Sequence, residues 1–102
     1  MSLDNEWRDG EYPTDAALRR IEQWPTAKWR DLLAFVRSVW WAPEWGWHEA
    51  YDEHGAQVYH LSTGGWSGNE DVIGALRAHR PFWMSCWQET RRGGHFVFEV
   101  RE

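Results

Sequence analysis

The stretch from Trp45 to Ser62, WGWHEAYDEHGAQVYHLS, decides the fold of this chain because its pattern predicts a β-hairpin. Large apolar residues alternate with polar ones on both sides of the segment from Asp52 to Gly55, as is typical of strands. Aspartate at the first position and glycine at the fourth favour a type I turn with a glycine bulge. The resulting register pairs His48 with His60 and Ala50 with Val58 on one face, and Trp47 with Leu61 and Glu49 with Tyr59 on the other.

Two helices are predicted before this hairpin. The first begins at Thr14 or Asp15, either of which suits an N-cap, and carries apolar residues at helical spacing. The second runs from about Pro25 to about Trp41, with the strongest apolar stripe in the chain. Pro43 ends it, because the residue before a proline leaves the α region.

A third helix and a second hairpin are predicted after it. Ser67 and Glu70 stand three residues apart in a capping-box pattern, which predicts a short helix that ends before Pro81. Alternation over residues 81–89 and 95–101 then indicates two strands joined by a glycine-rich turn. Their expected register pairs Cys86 with Phe98, Met84 with Val100, and Gln88 with Phe96.

The elements predict a single α+β domain with the order α-α-β-β-α-β-β. The two hairpins form an antiparallel sheet, and the helices pack mainly on one of its faces. Residues 13–102 form this domain. Residues 1–12 have no apolar period and are predicted to be a flexible N-terminal arm, which Trp7 or Tyr12 anchors.

Composition excludes several classes of protein. The chain has 102 residues, a net charge of -5 and one cysteine. The length suits one domain, and a lone cysteine excludes a disulfide scaffold. An acidic chain is a poor non-specific ligand for nucleic acid, and no apolar run is long enough for a membrane span. The polar, acidic N-terminus lacks the features of a secretion signal, so we expect a cytoplasmic location.

Two groups of residues invite a chemical interpretation. In the predicted register His48 and His60 are cross-strand neighbours, and two imidazoles with a carboxylate can bind a divalent metal. No metal-binding motif supports this, so whether the pair binds a metal stays open, and neither a metal nor a cofactor is predicted. Cys86 lies in an apolar alternation, which favours an inert buried thiol over a nucleophile with His95 or His60 as its base.

The ten tryptophans exceed what one core readily holds. Trp24, Trp29 and Trp40 fit helical core stripes. Strand alternation sends several of the others to the second face of the sheet, and exposed aromatic patches usually mark binding surfaces. The alternative is that the N-terminal arm or a homodimer covers that face. The tryptophans in question are Trp41, Trp45, Trp47, Trp66, Trp83 and Trp87.

One string of motifs resembles a known family. Residues 62–70, STGGWSGNE, are followed by FW at 82–83, CW at 86–87 and RRGGH at 91–95. This pattern is similar to that of small uncharacterised proteins encoded by bacteriophages and prophages, and it covers Tyr59 to Glu99. The resemblance implies a viral or bacterial cytoplasmic accessory protein, and it carries over no catalytic residue.

The same string suggests a site, provided that the glycine-rich loop and the RRGGH turn meet in space. The candidate ligand- or partner-binding residues are Trp66, Ser67, Asn69, Glu70, Trp87, Arg91, Arg92 and His95. The leading hypothesis is a non-enzymatic protein-binding or self-associating module that uses a Trp-rich surface. The alternative is a small-ligand binder or hydrolase, in which Glu70, His95 or His60 is acid or base and Arg91 or Arg92 holds an anion. Nucleic-acid binding by aromatic stacking is disfavoured by the net charge.

Overall fold

The structure is a computed structural model that describes residues 5–101, and helices alternate in it with two antiparallel ladders. The strands are β1 (Arg8–Asp9), β2 (Tyr12–Pro13), β3 (Trp47–Tyr51), β4 (Gln57–Ser62), β5 (Trp87–Arg91) and β6 (His95–Val100). The helices are α1 (Asp15–Glu22), α2 (Trp29–Val39), α3 (Pro43–Gly46), α4 (Ser67–Ala78) and α5 (Arg80–Cys86).

The main sheet has four strands in the order β3-β4-β6-β5. The register predicted for its first hairpin is confirmed, with His48 opposite His60 and Trp47 opposite Leu61. The turn forms because the carboxylate of Asp52 accepts bonds from the amides of His54 and Ala56, while Gly55 takes a φ of +83°. The turn chemistry therefore fixes the register of the hairpin.

The helices pack against one face of this sheet, and the predicted α+β class is confirmed. The side chains of Leu61 and Phe98 on that face are almost fully buried, as are Leu33 on α2 and Val72 on α4. The element order differs from the predicted one, because the described residues contain five helices and a small additional ladder, β1 with β2.

The strand predicted over Pro81 to Glu89 is wrong, because most of it is helix α5. Nδ1 of His79 accepts a bond of 3.2 Å from the amide of Phe82 and so caps this helix. Phe82 and Cys86 are buried one turn apart, whereas Met84 points outward. The predicted register is also wrong. Strand β5 begins at Trp87, which pairs with Phe98, and a bulge follows before Glu89.

Two helix starts differ from the prediction. Thr14 does cap α1, since its hydroxyl accepts from the amide of Ala17 at 3.2 Å. Helix α2, however, begins at Trp29 rather than Pro25, because Ala27 and Lys28 have φ angles of 124° and 57°. The capping box is also wrong. Trp66 is the N-cap of α4 and makes no capping bond through its side chain.

The described part of the N-terminal arm lies against the domain. Residues 8–13 form the β1–β2 ladder, and Thr14 donates its hydroxyl to the carbonyl of Glu6 at 2.7 Å. The ladder approaches α4 at Gly68, where a side chain would collide with the carbonyl of Glu11. Residues 1–4 of the predicted arm lie outside the described residues. Within residues 5–101, no helix is long and apolar enough to cross a membrane.

The second face of the sheet is not the Trp-rich surface that alternation predicted. His48 and His60 lie on it, together with Val97 on the next strand. Trp47 and Trp87 belong to the opposite face, where Trp47 contacts Trp40 and Trp87 contacts α5. The prediction failed because the segment 81–86 is helical, so its aromatic side chains never alternate across the sheet.

Candidate functional site

The glycine-rich loop and the RRGGH turn meet in space. The amide of Thr63, at the start of the loop, donates a hydrogen bond of 3.0 Å to the carbonyl of Gly94 in the turn. A side chain at Gly94 would collide with the hydroxyl of Thr63, and its φ of +79° suits glycine. The close approach of the two segments therefore requires glycine at this position.

The predicted polar residues nevertheless divide between the two faces of the sheet. His95 and Ser62 share a hydrogen bond of 2.5 Å on the open face, where Arg91 is the cross-strand neighbour of His95. Glu70 lies on the helix side, in a crevice of about 200 Å³ that the buried Phe96 also lines. Because successive strand residues face opposite ways, His95 and Glu70 do not converge on one substrate.

Three of the predicted site residues, Trp66, Asn69 and Arg91, form contacts within the chain. Asn69 is only 1% exposed, accepts from the amide of Trp41 at 2.8 Å and donates to the carbonyls of Trp41 and Thr63. Trp66 is half-buried and meets the ring of Trp45 edge-on, with centroids 5.8 Å apart. Arg91 forms an ion pair of 2.9 Å with Glu89. Asn69 therefore holds the backbone together rather than facing a ligand.

Ser67 and Arg92 are exposed, at the first residue of α4 and in the β5–β6 turn. Neither lines the crevice that contains Glu70. Trp87 is the predicted residue that the structure places on a coherent surface. Its ring stacks on that of Trp83, with centroids 5.9 Å apart and planes 13° apart.

We call this region the α5 surface; it comprises Arg77, Arg80, Trp83, Met84 and Trp87. Met84 is 82% exposed, and Trp87, three residues later, is 39% exposed. The guanidinium of Arg77 lies 5.0 Å from the centre of the Trp83 ring. A hollow of about 220 Å³ opens between the two arginines, Trp83 and Met84. The surface combines apolar area with positive charge.

The prediction from the sequence did not include Arg77, Arg80 or Met84 as site residues, and it placed Trp83 on a face of the sheet because it treated the segment from Pro81 as a strand. The signal was present in the spacing, since Phe82 and Cys86, like Trp83 and Trp87, stand four residues apart. Among residues 5–101, no carboxylate lies within 4.0 Å of the guanidinium of Arg77 or Arg80. Both charges are therefore available to an external group.

The other candidate chemical groups, His48, His60, Cys86 and Asp52, lie outside the α5 surface. His48 and His60 face each other, but residues 5–101 contain no group of three histidine, cysteine or acidic side chains that would hold a metal ion. Cys86, the last residue of α5, is buried. At Asp52, desolvation raises the pKa, but hydrogen bonds from the amides of Ala56 and His54 and the charge of Arg101 outweigh it and leave the pKa lowered.

A comparison of the chain with protein-family models, with curated proteins and with solved structures finds no match. The function is therefore inferred from the geometry of the surfaces.

Proposed function

We propose that this chain is a non-enzymatic accessory protein, of the phage or prophage type that its motifs resemble, and that it binds an acidic segment of a protein partner on the α5 surface. The observation that carries this proposal is the 82% exposure of Met84 between a stacked tryptophan pair and two arginines. Contiguous exposed apolar area of this kind marks interaction sites in soluble domains.

The residue types favour a protein partner. Tryptophan, methionine and arginine are enriched at protein interfaces, and tryptophan and arginine supply most binding hot spots. Trp83 and Trp87 form a rigid platform because each restrains the other. Met84 is unbranched and adaptable, so it can fit an apolar side chain entering the adjacent hollow.

The charges favour an acidic segment. Arg77 is oriented by the ring of Trp83, which leaves the edge of its guanidinium to donate hydrogen bonds. Arginine binds carboxylates through two parallel hydrogen bonds, so Arg77 and Arg80 suit glutamate or aspartate residues that flank an apolar anchor. The hydrolase alternative has less support, since Glu70 and His95 lie on opposite sides of the sheet.

Fluorescence anisotropy with two labelled peptides tests the proposal. We expect the peptide EEELFEEE to bind and its charge-reversed counterpart KKKLFKKK not to bind. Met84→Asp should weaken binding at least about tenfold, because it places a carboxylate at the anchor position. Tyr51→Asp is the matched control, since Tyr51 is also exposed and apolar but lies on the other edge of the sheet.

Sedimentation of the wild-type chain completes this test. Equal binding of both peptides, or equal loss in the Met84→Asp and Tyr51→Asp variants, would refute an acidic ligand at this surface. A wild-type dimer that Met84→Asp converts to a monomer would show that a second copy, rather than a partner segment, occupies the α5 surface.

A further inference from the structure

A further cavity lies away from the α5 surface, between the N-terminal arm and α1. It has a volume of about 640 Å³, within the size range of small-molecule sites. We call it the arm groove, and its walls include Trp7, Arg19, Arg20, Trp24 and Lys28. The sequence predicted a flexible arm over residues 1–12 and no site at this place.

Arg20 is held in place by three aromatic rings. Its guanidinium carbon lies 5.2 Å from the centre of the Trp7 ring, 5.3 Å from that of Trp24 and 5.1 Å from that of Phe35. These cation–π contacts use the faces of the rings and restrict the side chain, but they leave N–H donors at the edge of the guanidinium. A donor that is already oriented loses less entropy when it binds an anion.

The groove is positively charged on a chain whose net charge is -5. Arg19, Arg20 and Lys28 line it, and no carboxylate from residues 5–101 does so. None of the three cations has a carboxylate within 4.0 Å among those residues. An anion that enters the groove therefore meets three positive charges and no negative one from these residues.

The backbone at the rim of the groove is strained at Ala27 and Lys28. Ala27 has a φ of 124° and Lys28 a φ of 57°, both in regions that side chains rarely adopt. Strain of this kind persists where the surrounding structure enforces it and is concentrated at functional sites. Here it delays the start of α2 to Trp29 and leaves Lys28 on the wall of the groove.

We infer that the arm groove binds a small phosphorylated ligand with a planar ring, such as a nucleoside monophosphate. A phosphate carries up to two charges and three acceptor oxygens, which matches three cations better than a single carboxylate does. The planar ring packs against the indole of Trp7 or Trp24, as bases do on aromatic side chains. The inference is independent of the proposed function, since it uses none of the α5 residues.

Calorimetric titration of the full chain with AMP, adenosine and inorganic phosphate tests this. We expect AMP to bind more tightly than either fragment. Arg19→Gln with Lys28→Gln should weaken AMP binding about tenfold or more through lost charge-assisted bonds, and Trp24→Leu about tenfold through lost stacking. Arg20 is left unchanged because it also holds the arm.

Matched controls keep the test decisive. Arg37→Gln removes an exposed arginine of α2, and Trp45→Leu removes an exposed tryptophan, both outside the groove. Both controls should bind AMP as the wild type does, and urea unfolding should show that every variant is folded. No binding of AMP, equal affinity for adenosine or phosphate, or equal loss in the controls would overturn the inference.

Discussion

The ring of Trp83 stacks on the ring of Trp87, which joins the last turn of α5 to the first residue of β5. The indole N–H of Trp87 also donates to the hydroxyl of Thr90 at 2.9 Å, so the second tryptophan is fixed from both sides. The stacked pair therefore forms a rigid platform where α5 ends and β5 begins, and the exposed Met84 lies at the edge of this platform.

Replacing Trp87 tests the energetic role of that platform. Trp87→Leu should lower the free energy of unfolding by about 1 kcal/mol, because it removes the stack with Trp83. Met84→Ala should change it by less than about 0.5 kcal/mol, since Met84 is exposed. Urea denaturation of both variants measures the difference. Equal effects would show that the stacked pair does not stabilise the fold.

Asn69 and Ser67 belong to the same predicted site, but we expect only Asn69 to stabilise the fold. Asn69→Ala should destabilise the fold by about 3 kcal/mol, because it leaves buried backbone groups of Trp41 and Thr63 without partners. Ser67→Ala should be neutral within about 0.5 kcal/mol, since Ser67 is exposed and caps nothing. Thermal unfolding measures both. A clear loss of stability in Ser67→Ala would show that Ser67 caps α4 after all.

Two glycines of α4 should respond oppositely to the same substitution. Gly68→Ala should destabilise the fold by about 1–3 kcal/mol, because its methyl group would displace the arm at Glu11. Gly74→Ala should stabilise it by about 0.5–1 kcal/mol, since nothing lies near the added carbon and alanine favours the helix. Chemical denaturation compares them. Similar effects would contradict the packing of the arm on α4.

Asp52 should make the first hairpin sensitive to acid. Its pKa is lowered in the folded state, so the stability it adds is present above its ordinary pKa of 3.8 and is lost as the pH falls through the folded value. Asp52→Asn should be less stable than the wild type at pH 6, and the two should converge toward pH 2. Urea unfolding across this range measures the difference, and a constant gap would refute the role of the charge.

The first hairpin shows what local patterns predict well. Its register depends on the turn from Asp52 to Gly55, whose side-chain bonds from Asp52 reach only the amides of His54 and Ala56. The cap of α1 by Thr14 is equally local. Both predictions are confirmed because their physical causes lie within a few residues of sequence.

Helix α5 and the arm groove show where those patterns fail. The residues from Phe82 to Cys86 satisfy both a period of two and a spacing of four, and packing of Phe82 against Phe98 selects the helix. The groove joins Trp7 to Trp24 through Arg20, and no local signal links a tryptophan in the arm to one at the end of α1. These features depend on tertiary contacts.

The candidate site was predicted only in part for the same reason. The predicted site required the loop and the turn to meet in space, and the bond from Thr63 to Gly94 joins them. The sequence did not predict which way each side chain points, since that follows from the strand register beyond the bulge at Trp87. Asn69, on α4, is buried and bonds to the backbone of Trp41 and Thr63, while Trp87 lies on the α5 surface.

The most direct test of the proposed function uses the indole N–H signals of the tryptophans in a ¹⁵N-labelled sample titrated with EEELFEEE. The account predicts that the signals of Trp83 and Trp87 shift together, while those of Trp7, Trp24 and Trp45 stay in place. Shifts confined to Trp7 and Trp24, or no shift at Trp83 and Trp87 at saturating peptide, would contradict binding on the α5 surface.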